Sequence, residues 1–272
     1  MINNFKTDKF TLQYSIEGEG PNTLVIGSAV YYSKTFSQNL RSHLRLIFMD
    51  HRGFGVPTGP IEQTDYSLDK IIDDIEALRL KLNLGKIILI GHSGHAYMAI
   101  EYAKKYPDSI SRLVLIAISP SSGPDAFAAS DRYFNESVCP HRKAILANNL
   151  STMPTNGFIE RMLTFGPLLW YQYDYDASAL WEDVKPVPEV VDFLWGKVFR
   201  ELDIRDNIDK IHVPVYLALG RYDYWNPPYL WEDYRSYFKD LSIRVFEHSA
   251  HTPQLEEQEF FDIELIDWMN KA

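Results

Sequence analysis

The chain has 272 residues, a formal net charge of −10 and 46% apolar residues. This length accommodates one α/β domain with an insertion, and the apolar content is sufficient for a large core. The acidic balance argues against nucleic acid and anionic membrane surfaces as partners, because both are negatively charged. The single cysteine, Cys139, excludes an internal disulfide and is typical of a reducing compartment.

The stretch Met1–Lys6 has no basic region followed by an apolar core, so no secretory signal is predicted. The apolar run Leu113–Ile118 is typical of the longest in the chain and is far shorter than a membrane span. These features predict a soluble, cytoplasmic protein. The sequence has no paired-cysteine or His-Glu-x-x-His pattern, so no metal or other cofactor is predicted. It leaves the oligomeric state open.

The first part of the chain alternates strand-like and helix-like segments. Apolar and β-branched residues predict strands at Phe10–Ile16, Thr23–Ile26 and Leu44–Met49. A short helix is predicted at Lys34–Arg41. Apolar residues at helical spacing predict a longer helix from Ser67, its N-cap, to Leu82. The acids assigned to the solvated face of this longer helix are Asp69, Asp73, Asp74 and Glu76.

A buried strand, Lys86–Ile90, leads into the motif Gly91-x-Ser93-x-His95, and a helical pattern follows at once. A serine at such a sharp turn stands clear of the backbone, with the positive end of the helix dipole and free N–H groups behind it. The motif is one residue away from the Gly-x-Ser-x-Gly nucleophile elbow, and at this point the sequence resembles the α/β-hydrolase family. The resemblance implies a mostly parallel central sheet with helices on both faces and a helical cap insertion.

The rest of the chain agrees with this architecture. A strand at Leu113–Ala117 continues the alternation that favours a parallel sheet. Residues 121–205 then lack buried-strand runs and are rich in aromatic residues and prolines, which predicts a mostly helical insertion. The elements predicted after it are a strand at Val213–Leu219, a helix near Tyr229–Phe238, a strand at Ile243–Phe246 and a helix at Pro253–Met269. We therefore assign residues 1–120 and 206–272 to an α/β-hydrolase core domain and 121–205 to a helical cap, or lid.

A nucleophilic serine needs a base, and the base needs an orienting acid. In the family the chain order is nucleophile, acid, histidine. Only His248 and His251 follow a suitable acid. The loop that contains His251 is similar to the family's catalytic-histidine loop, whereas His248 lies too close to the end of the preceding strand.

The acid is expected at the carboxyl end of the preceding strand. Asp223, in Gly-x-x-Asp-x-x-x-Pro, is similar to the family's acid loop. Asp203 and Asp206 are rivals by residue type, but they precede the strand and so lie at the end where open sheets do not build sites. Each residue of this triad also has a structural interpretation: Ser93 as a helix cap, Asp223 as a turn acid and His251 as a surface histidine. The joint order and placement favour a catalytic triad.

The resemblance implies an oxyanion hole formed by the backbone N–H groups of Gly94 and Ala29. Gly27-Ser28 stands where family members usually carry His-Gly, which affects only the second donor. His95 replaces a glycine of the elbow; we expect it to pack and hydrogen-bond there, with pocket lining as the alternative. The loop Asp50–Gly55 resembles a family loop and is interpreted as structural.

These features predict a serine hydrolase that cleaves a small carboxylic ester or lactone through an acyl-enzyme, with a small-molecule acyl substrate as its partner. Some aromatic residues of the insertion are expected to line an acyl pocket. One alternative is a proline-iminopeptidase-like aminopeptidase, with Glu182, Asp183 and Glu189 as candidates to hold an ammonium group. Another is a hydrolase-fold small-ligand-binding protein with little turnover. Acyl transfer and perhydrolysis would use the same residues.

Overall fold

The structure is a computed structural model and describes residues 1–137, 139–154 and 157–271. The strands in these residues are β1 (Ile2–Lys6), β2 (Phe10–Glu17), β3 (Asn22–Gly27), β4 (Arg45–Asp50), β5 (Val56–Pro57), β6 (Ile87–His92), β7 (Ile110–Ile116), β8 (Val215–Gly220) and β9 (Leu241–Phe246). They form one sheet in the spatial order β1-β2-β4-β3-β6-β7-β8-β9, with β5 beside β2. The pairs from β4–β3 to β8–β9 are parallel, while β1, β2 and β5 add antiparallel pairs. The predicted mostly parallel sheet is confirmed.

The α-helices of the described residues lie between and around these strands. They are α1 (Ala29–Ser33), α2 (Gln38–Arg41), α3 (Leu68–Lys81), α4 (Gly94–Lys105), α5 (Pro124–Asn135), α6 (Pro140–Ser151), α7 (Phe158–Thr164), α8 (Gly166–Leu169), α9 (Ser178–Trp181), α10 (Pro188–Phe193), α11 (Phe199–Glu201), α12 (Pro253–Glu256) and α13 (Gln258–Lys271). None of the helices described here has the length and apolar character needed to cross a bilayer.

The sheet is covered on both faces because successive strand residues point to opposite sides. In β6, Leu89 packs into the apolar core under α3 and α4, whereas Ile88 and Ile90 pack into the core under α1, α2 and α13. All three side chains are almost fully buried. Burial of one such side chain contributes roughly 1.5–3 kcal/mol, so these two cores hold the strand ends that carry the candidate site in place.

Three local predictions require correction. Of the predicted helix at Lys34–Arg41, only Gln38–Arg41 is helical (α2), because the Ser37 side chain caps a new helix there by accepting the Leu40 N–H; a separate helix, α1, precedes it. The predicted helix at Tyr229–Phe238 is two short 3₁₀ turns, Pro228–Trp231 and Arg235–Tyr237. This stretch is rich in aromatic residues, which are moderate helix formers, and burial of its Trp231 side chain against the core takes precedence.

The third correction concerns the acids of α3. Asp74 is buried and forms a two-pronged ion pair with Arg52, with N–O distances of 2.6 and 2.9 Å. Glu76 accepts a hydrogen bond from the Tyr102 hydroxyl at 2.6 Å. Both acids therefore tie α3 to the rest of the fold. The helical pattern alone could not reveal this, since the partners are distant in sequence.

Residues 121–205 carry helices α5 to α11, and their described part contains no strand. Pro124, Pro140, Pro167 and Pro188 each lie at the start of a helix, where a missing N–H costs nothing. Proline therefore marks four of the helix starts in the described part of this segment. We refer to residues 121–205 as the insertion.

Candidate active site

The sharp turn between β6 and α4 holds Ser93 in a strained backbone conformation, with φ 55° and ψ −131°. A positive φ is costly for a residue with a side chain and is found mainly at functional sites. The Ser93 N–H donates to the Ile116 carbonyl of β7 at 2.8 Å, which fixes the turn to the sheet. A Cβ atom on Gly91 would lie 2.6 Å from the Ala96 Cα, so the turn also requires glycine at its first position.

Asp223 follows the carboxyl end of β8 and His251 follows the carboxyl end of β9, and the two side chains are in contact. The His251 Nδ1 lies 2.8 Å from the Asp223 Oδ2. The other carboxylate oxygen, Oδ1, accepts the N–H groups of Trp225 at 3.0 Å and Asn226 at 2.8 Å. Asp223 is 1% exposed. With both oxygens engaged and water excluded, this carboxylate holds the His251 ring in one orientation.

Gly220 allows the loop that carries Asp223 and the loop that carries His251 to pack closely against each other. A Cβ atom on Gly220, at the end of β8, would lie only 1.9 Å from the Ala250 carbonyl oxygen in the histidine loop. The Tyr222 N–H also donates to the Ser249 carbonyl at 2.9 Å. The acid and the histidine loops are therefore packed backbone against backbone.

Ser93 and His251 line the same cavity, which has a volume of about 70 Å³. The other residues with polar groups that line it are Ser28, Tyr31, Tyr32, His92, His95 and Thr252. Its apolar lining from the insertion is Phe158, Met162, Leu169, Trp170, Trp181 and Trp195. Four aromatic residues of the insertion, Phe158, Trp170, Trp181 and Trp195, thus line the cavity, whereas Tyr171 and Tyr175 line a neighbouring one.

Trp195 lies over the serine turn. A Cβ atom on Gly94 would lie 2.8 Å from its indole ring, so the ring fits there only because residue 94 is glycine. Trp195 belongs to a π-helical turn, Leu194–Val198, and such turns are common at functional sites.

Gly94 begins α4, and the first N–H groups of a helix have no acceptor within it. The Ala29 N–H, predicted as the second oxyanion donor, has a different partner: it donates to the Asp50 Oδ1 at 2.8 Å. Ser28, one residue earlier, lines the cavity and its Oγ accepts the N–H of Tyr31 at 3.3 Å. Its hydroxyl hydrogen therefore remains available for donation.

Asp50, which holds the Ala29 N–H, is itself buried at the end of β4. Its second oxygen accepts the Gln13 N–H at 3.1 Å. Burial raises the pKa of Asp50 to about 7, although the two N–H donors oppose this shift.

Comparison with known proteins agrees with this fold. Residues 21–258 match the family model described as the alpha/beta hydrolase fold. The chain belongs to the α/β-hydrolase family. YclE of Bacillus subtilis strain 168, an AB hydrolase superfamily protein, is 35% identical over 97% of this chain and 97% of its own length.

Two further relatives are more distant from this α/β hydrolase. A proline iminopeptidase of Heyndrickxia coagulans is 23% identical, over 83% of this chain and 81% of its own length. The solved structure of EaEST, an esterase from Exiguobacterium antarcticum, has a TM-score of 0.71 with 20% identity and covers 96% of each chain. At this identity the esterase structure demonstrates a shared fold. Family membership and these relatives make the protein an enzyme of the hydrolase class.

In this α/β hydrolase, Glu256 anchors the histidine loop, a role that sequence reasoning missed. Its Oε2 accepts the N–H groups of Ala250 at 2.9 Å and Thr252 at 3.1 Å, the two residues that flank His251. Its Oε1 accepts the Tyr171 N–H of the insertion at 2.6 Å. Burial raises the pKa of Glu256 to about 7.

His95 both lines the cavity and hydrogen-bonds at the elbow. Its Nδ1 lies 2.9 Å from the Tyr32 hydroxyl and 3.2 Å from the His92 carbonyl oxygen. The loop interpreted as structural also contributes here, since Phe54 lines the cavity and the His51 ring packs 5.1 Å from that of His95. No local sequence signal marks this cluster, because it joins residues more than 40 positions apart.

The other residues considered as the catalytic acid, the catalytic histidine or the ammonium-binding group do not line this cavity. Asp203 is ion-paired with Arg205 before β8, and Asp206 is exposed. His248 is exposed and packs against Tyr171. The acids considered for ammonium binding, Glu182, Asp183 and Glu189, are all exposed, and none lines the cavity beside Ser93.

Proposed function

We propose that this α/β hydrolase is a serine hydrolase that cleaves a small carboxylic ester or lactone through an acyl-enzyme, with Ser93, His251 and Asp223 as its catalytic triad. One observation carries the proposal. A serine in a strained turn and a histidine locked by a buried carboxylate at 2.8 Å line one cavity.

The reaction has two stages. Ser93 Oγ attacks the substrate carbonyl carbon while His251 Nε2 accepts the hydroxyl proton, and the protonated histidine returns that proton to the departing alcohol oxygen. Water then attacks the acyl-serine ester with His251 again as base, which releases the acid and restores Ser93. Asp223 keeps the proton of the neutral ring on Nδ1, so that Nε2 is free to accept, and it stabilises the imidazolium that forms.

The tetrahedral intermediate carries a negative oxygen that needs donors. The Gly94 N–H at the start of α4 supplies one, with the helix dipole behind it. For the second we favour the Ser28 hydroxyl, because it already lines the cavity while the Ala29 N–H is engaged by Asp50. The predicted Ala29 donor becomes available only if this turn releases the Asp50 carboxylate.

The cavity chemistry favours an ester or lactone over a peptide with a free amino terminus. None of the described residues that line it is a carboxylate, and its walls are mainly aromatic. A substrate ammonium group buried there would lack an anionic partner, which is costly. We assign the insertion the role of a cap, because its residues form most of the apolar wall of the cavity that Ser93 lines.

The test is the Ser93→Ala variant, assayed with para-nitrophenyl butanoate and with a fluorophosphonate probe. Because Ser93 is the attacking group, we expect the variant to fold, to lose nearly all turnover and to resist labelling. Ser178→Ala, at an exposed serine of the insertion, is the matched control and should keep both properties. Retained ester cleavage in Ser93→Ala would end the proposal.

The same assays separate the alternatives. Cleavage of proline para-nitroanilide without cleavage of any ester would favour the aminopeptidase, a function that the iminopeptidase relative brings into consideration. A wild-type protein that neither turns over esters nor reacts with the probe would favour a ligand-binding role.

A further inference from the structure

A cluster of buried polar rings lies beside the nucleophile. It consists of His51, His92, His95 and Tyr32, each less than 9% exposed. No carboxylate of the described residues hydrogen-bonds to any of these side chains. Burial lowers the pKa of His51 and His92 to about 3 and that of His95 well below its usual value. All three imidazoles are therefore neutral at pH 7, so each carries one N–H and one bare nitrogen.

The hydrogen-bond partners determine which nitrogen carries the proton. The His92 Nε2 lies 2.6 Å from the His251 carbonyl oxygen. A carbonyl oxygen can only accept, so His92 is protonated on Nε2 and bare on Nδ1. The Tyr32 hydroxyl, 2.9 Å from that bare Nδ1, must therefore donate its hydrogen to His92.

The direction of the Tyr32 hydrogen bond also determines which nitrogen of His95 is protonated. Having donated its only hydrogen to His92, the Tyr32 oxygen can only accept from the His95 Nδ1, 2.9 Å away. His95 is thus protonated on Nδ1, in agreement with the second contact of that atom to the His92 carbonyl at 3.2 Å. The His95 Nε2 is left as a bare acceptor.

His51 is the opposite tautomer to His95. Its Nδ1 accepts the Gly53 N–H at 2.9 Å, so its proton lies on Nε2. The Nε2 atoms of His51 and His95 are both buried, and neither has a hydrogen-bond partner among the described residues. Buried polar groups are normally paired, so one unpaired donor beside one unpaired acceptor indicates a place for a ligand group.

The chemistry of that group follows from the two atoms. We propose that this hydrolase recognises a hydroxyl group on its substrate, which donates to the His95 Nε2 and accepts from the His51 Nε2–H. The inference rests on the proposed function, since it names the class of ester that the site takes. A hydroxyl places donor and acceptor on one oxygen, whereas a carbonyl or carboxylate cannot donate to His95 and an ammonium cannot accept from His51.

The position of the pair supports this assignment. His95 lines the cavity two residues after Ser93, and His51 packs behind it beside Phe54 and Trp195. The His51 and His95 ring centroids are 5.1 Å apart. One oxygen that makes two hydrogen bonds of about 2.9 Å can join nitrogens up to about 5.8 Å apart, a span on the scale of this ring contact. The recognised hydroxyl must therefore lie within a few atoms of the ester carbonyl.

The test compares isosteric substrates that differ only by hydroxyl against methyl. On the acyl side the pair is para-nitrophenyl β-hydroxybutanoate and β-methylbutanoate; on the alcohol side it is hydroxyethyl and propyl butanoate. We expect the hydroxyl member of at least one pair to be favoured by about tenfold or more in kcat/KM, because the analogue leaves both histidines unpaired. No preference in either pair, with the plain esters still cleaved, would overturn this inference and leave the proposed function intact.

Two variants separate recognition from general damage to the turn. His95→Asn keeps a donor near the Nδ1 position for Tyr32 but removes the Nε2 acceptor, so the hydroxyl preference should fall to near unity. Phe158→Leu changes an apolar residue of the same cavity. It should lower kcat/KM for both members of a pair alike and leave their ratio unchanged. A preference that survives in His95→Asn contradicts the proposal.

A second measurement does not depend on turnover or on the folding of a variant. Nitrogen-15 NMR of the histidine rings in the wild-type protein should find His95 protonated on Nδ1 and His51 on Nε2. In at least one of the two substrate pairs, the hydroxyl member but not the methyl member should shift the His95 Nε2 signal. The opposite tautomers, or equal shifts within both pairs, would overturn the inference even if no ester were cleaved.

Discussion

Replacement of Asp223 by asparagine tests the triad most directly. The Asp223 Oδ1 accepts two backbone N–H groups, from Trp225 and Asn226, while Oδ2 faces the His251 Nδ1 at 2.8 Å. In the variant the amide oxygen must occupy the Oδ1 position, since an NH₂ group there would confront two donors. The NH₂ group then faces His251 and donates to its Nδ1.

This exchange reverses the histidine tautomer. With Nδ1 accepting, the ring proton moves to Nε2, which can no longer accept the proton of Ser93. A wrong tautomer of this kind lowers kcat by about 10⁴ in a well-studied serine protease, which corresponds to roughly 5 kcal/mol of activation free energy. We expect a loss of similar size in Asp223→Asn, with little change in KM for para-nitrophenyl butanoate, because Asp223 does not line the cavity.

The assay is steady-state ester hydrolysis together with the rate of fluorophosphonate labelling, and urea unfolding verifies that the variant folds. Asp203→Asn is the matched control, because Asp203 lies before β8 and pairs with Arg205 outside the site. It should retain wild-type turnover. An Asp223→Asn protein within about tenfold of wild-type kcat would refute the role assigned to this carboxylate.

Three further predictions follow from the structure. Ser28→Ala should lower kcat by about 10² if its hydroxyl is the second oxyanion donor; an unchanged kcat with a stability loss of ~1 kcal/mol would instead leave Ser28 only as a helix cap. Arg52→Met should lower the free energy of unfolding in urea by about 3–5 kcal/mol, because it leaves Asp74 charged and buried, whereas the exposed Lys70→Met should cost less than about 1 kcal/mol. Burial raises the pKa of Glu256 in the folded state to about 7, above its ordinary value of 4.5. The folded state therefore binds this proton more tightly, so its contribution to stability is fully present below about pH 4.5 and falls as pH rises to about 7. Urea titrations from pH 5 to 8 should find a shallower decline in Glu256→Gln, and equal declines would contradict the assignment.

The strands and the nucleophile turn were predictable because their signals are local. Runs of apolar residues that end at glycine mark buried strands, and β6 and β8 lie within two residues of their predicted positions. The short strands β1 and β5 were not predicted. Both lie at the antiparallel part of the sheet, where their few residues carry too weak an alternation to stand out.

The long-range polar contacts could not be predicted from the sequence. Nothing near Glu256 indicates that its carboxylate accepts N–H groups on both sides of His251, and nothing near Arg52 indicates its buried pairing with Asp74. The Asp50 carboxylate, which engages the Ala29 N–H, is likewise 21 residues away in sequence. Such partners are set by how the strands are arranged in space, which residue type and spacing do not encode directly.

The attachment of the insertion to the catalytic loops limits how this enzyme can be re-engineered. The Leu168 carbonyl accepts the Tyr224 N–H at 3.2 Å and the Leu169 carbonyl accepts the His251 N–H at 3.0 Å. The Arg142 guanidinium donates hydrogen bonds to the Pro167 and Trp170 carbonyl oxygens of the same segment. A graft that exchanged the whole insertion for that of a relative would detach both loops from a backbone support. Substrate range is therefore better altered by side-chain replacement within the cavity than by transplanting the segment.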